Sequence, residues 1–154
     1  MKNKLIISKV ATIDIGSNAL RLLISNVFKI KGKKYHTKNS LYRVQLRLGD
    51  DSFNKGKISD KNLKKLISTL NSFKLLMEVN EIKKYTAYAT SAMRSINNCD
   101  KIIKLLNDET GIKVEVISGK RESEIVAKND IRAHIGKTKN YCFLDVGGGS
   151  TEVV

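Results

Sequence analysis

Ile13-Asp14-Ile15-Gly16-Ser17-Asn18 lies near the start of the 154-residue chain, and Leu144-Asp145-Val146-Gly147-Gly148-Gly149-Ser150-Thr151 repeats its pattern near the other end. Each stretch runs apolar, Asp, apolar, Gly, then small or hydroxyl residues, and each closes a strand-like run. A turn of this kind can aim backbone N–H groups at phosphate oxygens, and the Asp beside it can hold a divalent metal. One copy alone reads as an ordinary strand-ending β-turn. Two copies predict a pair of phosphate loops.

Outward from the first copy, the apolar and β-branched run from Lys9 to Ile30 is broken only at Gly16-Ser17-Asn18, which predicts a hairpin of strands at about Val10 to Ile15 and Leu20 to Phe28. Lys31-Gly32-Lys33 supplies the next turn. Alternation from Tyr35 to Leu48 predicts a third antiparallel strand with Tyr42, Val44, Leu46 and Leu48 on its apolar face. Gly49-Asp50-Asp51-Ser52 through Asn54-Lys55-Gly56 reads as a loop, with Ser59 as an N-cap. Leu63, Leu66, Ile67, Leu70, Phe73 and Met77 then recur at helical spacing and predict a long amphipathic helix.

Beyond Asn80 the pattern predicts a buried strand over Ile82 to Ala89 and a turn or short helix at Thr90 to Arg94. A helix from Cys99 to Thr110 stops at Gly111, a residue suited to the position after a helix end. A short strand at Val114 to Ile117 precedes a third helix from Ser118-Gly119 to roughly Ala133, and a strand from Tyr141 to Val146 follows. Antiparallel strands followed by strand–helix alternation predict an α/β fold, a mixed sheet of about five strands with helices packed on it. The expected division is a first lobe over 1–139 and the opening strand and phosphate loop of a second over 140–154. A strand begins again at Ser150-Thr-Glu-Val-Val154, so the expectation is a fragment whose second lobe is mostly missing.

Composition narrows the function. With 41% apolar residues, and no apolar run approaching membrane-spanning or signal-peptide length, a globular, cytoplasmic protein is expected. Cys99, Cys142, His36 and His134 have no metal-ligand spacing. The formal charge of +14 suits a polyanionic ligand or simply a lysine-rich surface. Nucleic acid is disfavoured, because the lysines form no dense block and no interleaved aromatic run.

The chain resembles the exopolyphosphatase and guanosine pentaphosphate phosphohydrolase (Ppx/GppA) family. The resemblance rests on Ile13-Asp-Ile-Gly-Ser-Asn-Ala-Leu-Arg-Leu-Leu-Ile24, Arg47-Leu-Gly49 with Gly56-Lys-Ile58, and Ala89-Thr-Ser-Ala-Met-Arg94 with Asn98. Val116-Ile-Ser-Gly119 with Glu122, and Leu144-Asp-Val-Gly-Gly-Gly-Ser-Thr-Glu152, complete it. It implies a ribonuclease H-like lobe of the actin, Hsp70 and sugar-kinase superfamily, with a cleft where polyphosphate or guanosine pentaphosphate loses its terminal phosphate to water.

The resemblance makes Glu122 the catalytic glutamate, and its place in the first turn of a helix favours the ionised form a base needs. Asp14, Asp145 and Glu152 are the available hard oxygen ligands for Mg²⁺. Gly16, Ser17, Asn18, Gly147, Gly148, Gly149, Ser150 and Thr151 would cradle phosphate, and Arg94 would add a charge-assisted contact. Asn98 equally suits a helix cap, and Arg21 equally suits a structural ion pair. Arg121 and Ser123 depart from the family's usual acidic residue and alanine on either side of Glu122, which opens the question of what Arg121 does there. An ATP-dependent kinase of the same superfamily and a non-catalytic polyanion-binding module are the competing readings. No Walker A motif occurs. Oligomeric state stays open, a homodimer of the full-length protein included.

Overall fold

The computed structural model describes residues 6–30, 32–127 and 144–153. Strands β1 (Ile6–Ile15), β2 (Ala19–Ile30) and β3 (Lys33–Gln45) form an antiparallel meander. Helices α1 (Leu48–Lys55) and α2 (Asp60–Val79) follow, then β4 (Tyr85–Ala89), α3 (Ser91–Arg94), α4 (Cys99–Thr110), β5 (Glu115–Val116) and α5 (Gly119–Ala127). The sheet order is β3-β2-β1-β4-β5, with β4 parallel to both β1 and β5. The predicted mixed five-stranded sheet, with its three antiparallel strands first, is therefore what forms.

Period-two burial sorts the sheet's faces. Ile13 and Ile15 of β1 and Leu20, Leu22 and Ile24 of β2 are fully buried, whereas Thr12 is exposed and Asp14 half-buried. Against the apolar side packs α2, whose Leu66, Leu70, Phe73 and Met77 line one helical stripe, with Ile102 and Leu106 of α4 in the same core. Removing the Phe73 side chain from water contributes about 2–3 kcal/mol before entropy is subtracted. Asp14 and Thr12 are thus displayed on the face that opens toward the cleft.

Helix ends follow the sequence signals. The Ser59 side chain accepts a hydrogen bond from the Asn62 N–H at 3.3 Å, and Gly111 closes α4 at φ 71°. Asn98 stands at the N-cap position of α4, yet its side chain makes no capping bond.

Residues 48–55, expected as strand end and loop, instead form α1. Arg47 adopts a left-handed conformation (φ 54°), and the N–H groups of Leu46 and Arg47 both turn back to the Asn18 carbonyl, which stops β3 at Gln45. Leu46 and Leu48 are buried beyond the strand, while Val44 stays exposed. Asp50 and Asp51 complement the dipole of the new helix, and Gly56 ends it at φ 62°. The strand expected over Ile82 to Ala89 is shorter, starting at Tyr85.

Beyond α5, strands β6 (Leu144–Val146) and β7 (Thr151–Val153) pair as a separate two-stranded sheet. The expected extension of α5 to Ala133, the strand start at Tyr141 and the division at 139/140 lie outside the described residues.

Candidate active site

The two sequence copies fold as the same turn. The Gly16 N–H donates to the Ala19 carbonyl at 3.2 Å, and the Gly147 N–H donates to the Ser150 carbonyl at 2.9 Å. Those two N–H groups close the turns, so the cradle falls to the residues that follow each glycine. Gly148 lies against Ser17: a Cβ placed on it would sit 3.4 Å from the Ser17 Cβ. The structure brings the two turns into contact across a cleft.

That cleft has a volume of about 640 Å³ and is lined by Asp14, Gly16, Ser17, Asn18, Arg21, Glu122, Gly147, Gly148 and Ser150, among others. Each arrives from a different piece of local structure. Asp14 is the last residue but one of β1, the Ser17 turn links β1 to β2, Glu122 lies in the first turn of α5, and the glycines join β6 to β7. The expected site residues are therefore largely gathered in one place. Asn98 is exposed and does not line the cleft, and neither Gly149 nor Thr151 lines it.

Glu122 carries a defined partner. The Arg94 guanidinium donates to its carboxylate at 3.0 Å and to the Ile117 carbonyl at 2.8 Å, which ties α3 to the entry of α5. The pair is about one-quarter exposed at Arg94 and one-fifth at Glu122, so it is only partly screened by solvent. Arg94, expected as a substrate contact, is not among the residues lining the cleft and pairs with Glu122, which does line it. Arg121 pairs with Glu124 at 3.3 Å.

Asp14 pairs with Arg21 at 2.8 Å, since the two are register partners across β1 and β2. The structural ion-pair reading of Arg21 is the one the geometry favours. Asp145 and Glu152 are likewise register partners across β6 and β7, but the metal-ligand expectation for their side chains lies outside what is described. Among the described residues no three His, Cys, Asp or Glu side chains gather into a metal cage. Mg²⁺ commonly takes only one or two protein carboxylates and completes its shell with water and phosphate, so Asp14 in this cleft fits such a partial ligand set.

Sequence reasoning missed Ser91. Its hydroxyl shares a 2.7 Å hydrogen bond with that of Ser17, both residues being buried, and so braces the first turn against α3. The Thr90-Ser91 pair directly after β4 was the available signal. Tyr88, a register partner of Asp14, also lines the cleft and could have been placed only from the sheet register.

Comparison with known proteins identifies the family. The sequence pattern of the Ppx/GppA phosphatase family matches residues 27–154. Exopolyphosphatase 1 of Mycobacterium tuberculosis is 29% identical over 145 residues, covering 94% of this chain and 41% of its own length. A bifunctional 3-dehydroquinate synthase/phosphatase of Fusobacterium nucleatum is 36% identical over 148 residues, covering 92% of this chain and 22% of its own. The crystal structure of an exopolyphosphatase from Cytophaga hutchinsonii superposes with a TM-score of 0.83 at 27% identity, covering 96% of this chain and 46% of that one. The chain thus spans less than half the length of these relatives. Sheet order, paired glycine turns and a family match over most of the sequence converge: this chain belongs to the Ppx/GppA phosphatase family.

Proposed function

We propose that the protein carrying this chain hydrolyses the terminal phosphoanhydride bond of inorganic polyphosphate or guanosine pentaphosphate and releases orthophosphate. The observation that carries this reading is Glu122, an Arg94-held carboxylate lining the same cleft as both glycine turns. A phosphoryl group seated on the turns would have a base beside it, and water is the smallest nucleophile such a base can activate. The water oxygen bonds to the terminal phosphorus as its proton passes to Glu122. The bridging P–O bond breaks, and the shortened chain leaves with the electron pair.

The roles of the other residues follow from position. N–H groups after Gly16 and Gly147 take the non-bridging oxygens, with the hydroxyl of Ser150 as a further donor. Arg94 orients Glu122 and adds positive charge near the transferring group. Bound Mg²⁺ would supply further charge neutralisation there, held by Asp14 with Asp145 and Glu152 as additional oxygen donors. The charge of +14 draws a polyanion toward the cleft, an effect that salt weakens. A cytoplasmic setting would supply both candidate substrates.

The test is Mg²⁺-dependent phosphate release by the complete gene product from both substrates, with Glu122→Gln as control. Loss of about 10²–10⁴-fold in kcat is expected for that variant. Failure of the unaltered protein on both substrates would end the phosphohydrolase reading. Because the chain covers under half of its relatives, the 154 residues alone are expected to turn over little or no substrate. Robust Glu122-dependent release from the purified chain would contradict that.

A further inference from the structure

We propose that Phe53 is a positioning residue that sets the spacing of the two glycine turns, and that Gly149 is glycine to admit its ring. The proposal rests on the reading of those turns as phosphate loops. Phe53 lies on α1 one helical turn after Gly49, and a Cβ on Gly49 would stand 2.9 Å from the ring. At the second turn, a Cβ on Gly149 would overlap the Cζ end of the same ring. The aromatic ring therefore lies close to two backbones that lack side chains. Gly149 is not among the positive-φ glycines, so its backbone conformation makes no demand for glycine. The ring does.

The same helix is bonded to the first turn. The Gly49 N–H donates to the Ser17 carbonyl at 2.8 Å, just after Leu46 and Arg47 have donated to Asn18. One end of α1 thus holds the first turn, and Phe53 meets the second. The helix is itself fixed. Asp51, 4% exposed, accepts hydrogen bonds from the Ser59 N–H at 3.0 Å, the Asn62 side chain at 2.7 Å and Lys55 at 2.9 Å, and also from the Ser59 hydroxyl. Phe53 remains 42% exposed, more than a core aromatic would be. Its contact is with the turn rather than with the core.

The experiment compares Gly149→Ala, Phe53→Ala and the double variant in the complete gene product, by hydrogen exchange at residues 147–150 and by kcat/KM on tripolyphosphate. Gly149→Ala should speed exchange and lower kcat/KM about tenfold, because its new methyl displaces the turn. Adding Phe53→Ala should restore at least about threefold by making room, a coupling expected only of residues in contact. Melting midpoints should stay within about 2 °C, as only a surface contact changes. Wild-type exchange and kinetics in Gly149→Ala, a double variant no better than Gly149→Ala, or activity losses that merely track melting would each overturn the proposal. If the unaltered protein releases no phosphate, the function reading fails separately. The exchange rates then decide the packing claim alone, with rescue in the double variant supporting it and no rescue refuting it.

Discussion

Asp14 and Asp145 each stand two residues before a glycine whose N–H closes a turn on the residue three positions further on. The strands flanking the first turn run to ten and twelve residues, whereas those flanking the second have three each. Behind the first turn lie Ile13, Ile15, Leu20 and Leu22, all fully buried, while Leu144, Val146 and Val153 around the second are more than 60% exposed. One backbone design therefore serves in two settings. The first turn is part of the core, held by backbone bonds from α1 and by the Ser17–Ser91 hydroxyl pair. The second lies against Ser17 and Phe53, and its strand β7 packs on α5. Damage near the first should appear as lost stability, and damage near the second as lost activity.

The largest stability effect should come from Asp51→Ala, which removes the anchor of α1 and leaves the Ser59 and Asn62 donors without their acceptor. A loss of roughly 3 kcal/mol is expected, lowering the melting midpoint by about 6–12 °C in a protein of this size. An unchanged midpoint would show that the first turn does not depend on α1.

Acid should remove the same contribution gradually. Burial alone would raise the Asp51 carboxyl, but hydrogen bonds from Ser59, Lys55 and Asn62 outweigh it and hold the group well below the usual carboxylate range. Its folded pKa lies below its unfolded value, so the stabilisation is complete above the unfolded pKa of about 4 and drains away as pH falls through the folded one. Urea midpoints between pH 7 and pH 2.5 should fall more steeply for the unaltered protein than for Asp51→Asn. Parallel slopes would remove Asp51 from the account.

Ser17→Ala should give the smallest effect, a loss of about 1 kcal/mol from one buried hydroxyl bond. Denaturant unfolding measures it. A loss confined to activity, with stability untouched, would erase the distinction between the turns.

Much of this was legible in the sequence, for identifiable reasons. Ile13, Ile15, Leu20 and Leu22 alternate strictly, and Leu66, Leu70, Phe73 and Met77 keep helical spacing, so local periodicity and tertiary burial agree. The stretch at 48–55 carried no such agreement. Its Gly-Asp-Asp-Ser opening has turn chemistry, and what makes it helical is non-local: Asn18 and Ser17 carbonyls bind its start, and Ser59 and Asn62 bind Asp51. In the site, Glu122 and the glycine turns came from motifs. The attachment of Arg94 to Glu122 spans 28 residues and depends on how α3 meets α5, which no local pattern encodes.

The central claim, attack by water at the terminal phosphorus with Glu122 as base, is tested most directly by turnover of tripolyphosphate in ¹⁸O-water by the complete gene product. The account predicts one solvent oxygen in each released orthophosphate, none in the pyrophosphate left behind at early times, and near-complete loss of this label in Glu122→Gln. Label in the remaining chain, or phosphate passed to an acceptor without solvent oxygen, would contradict it.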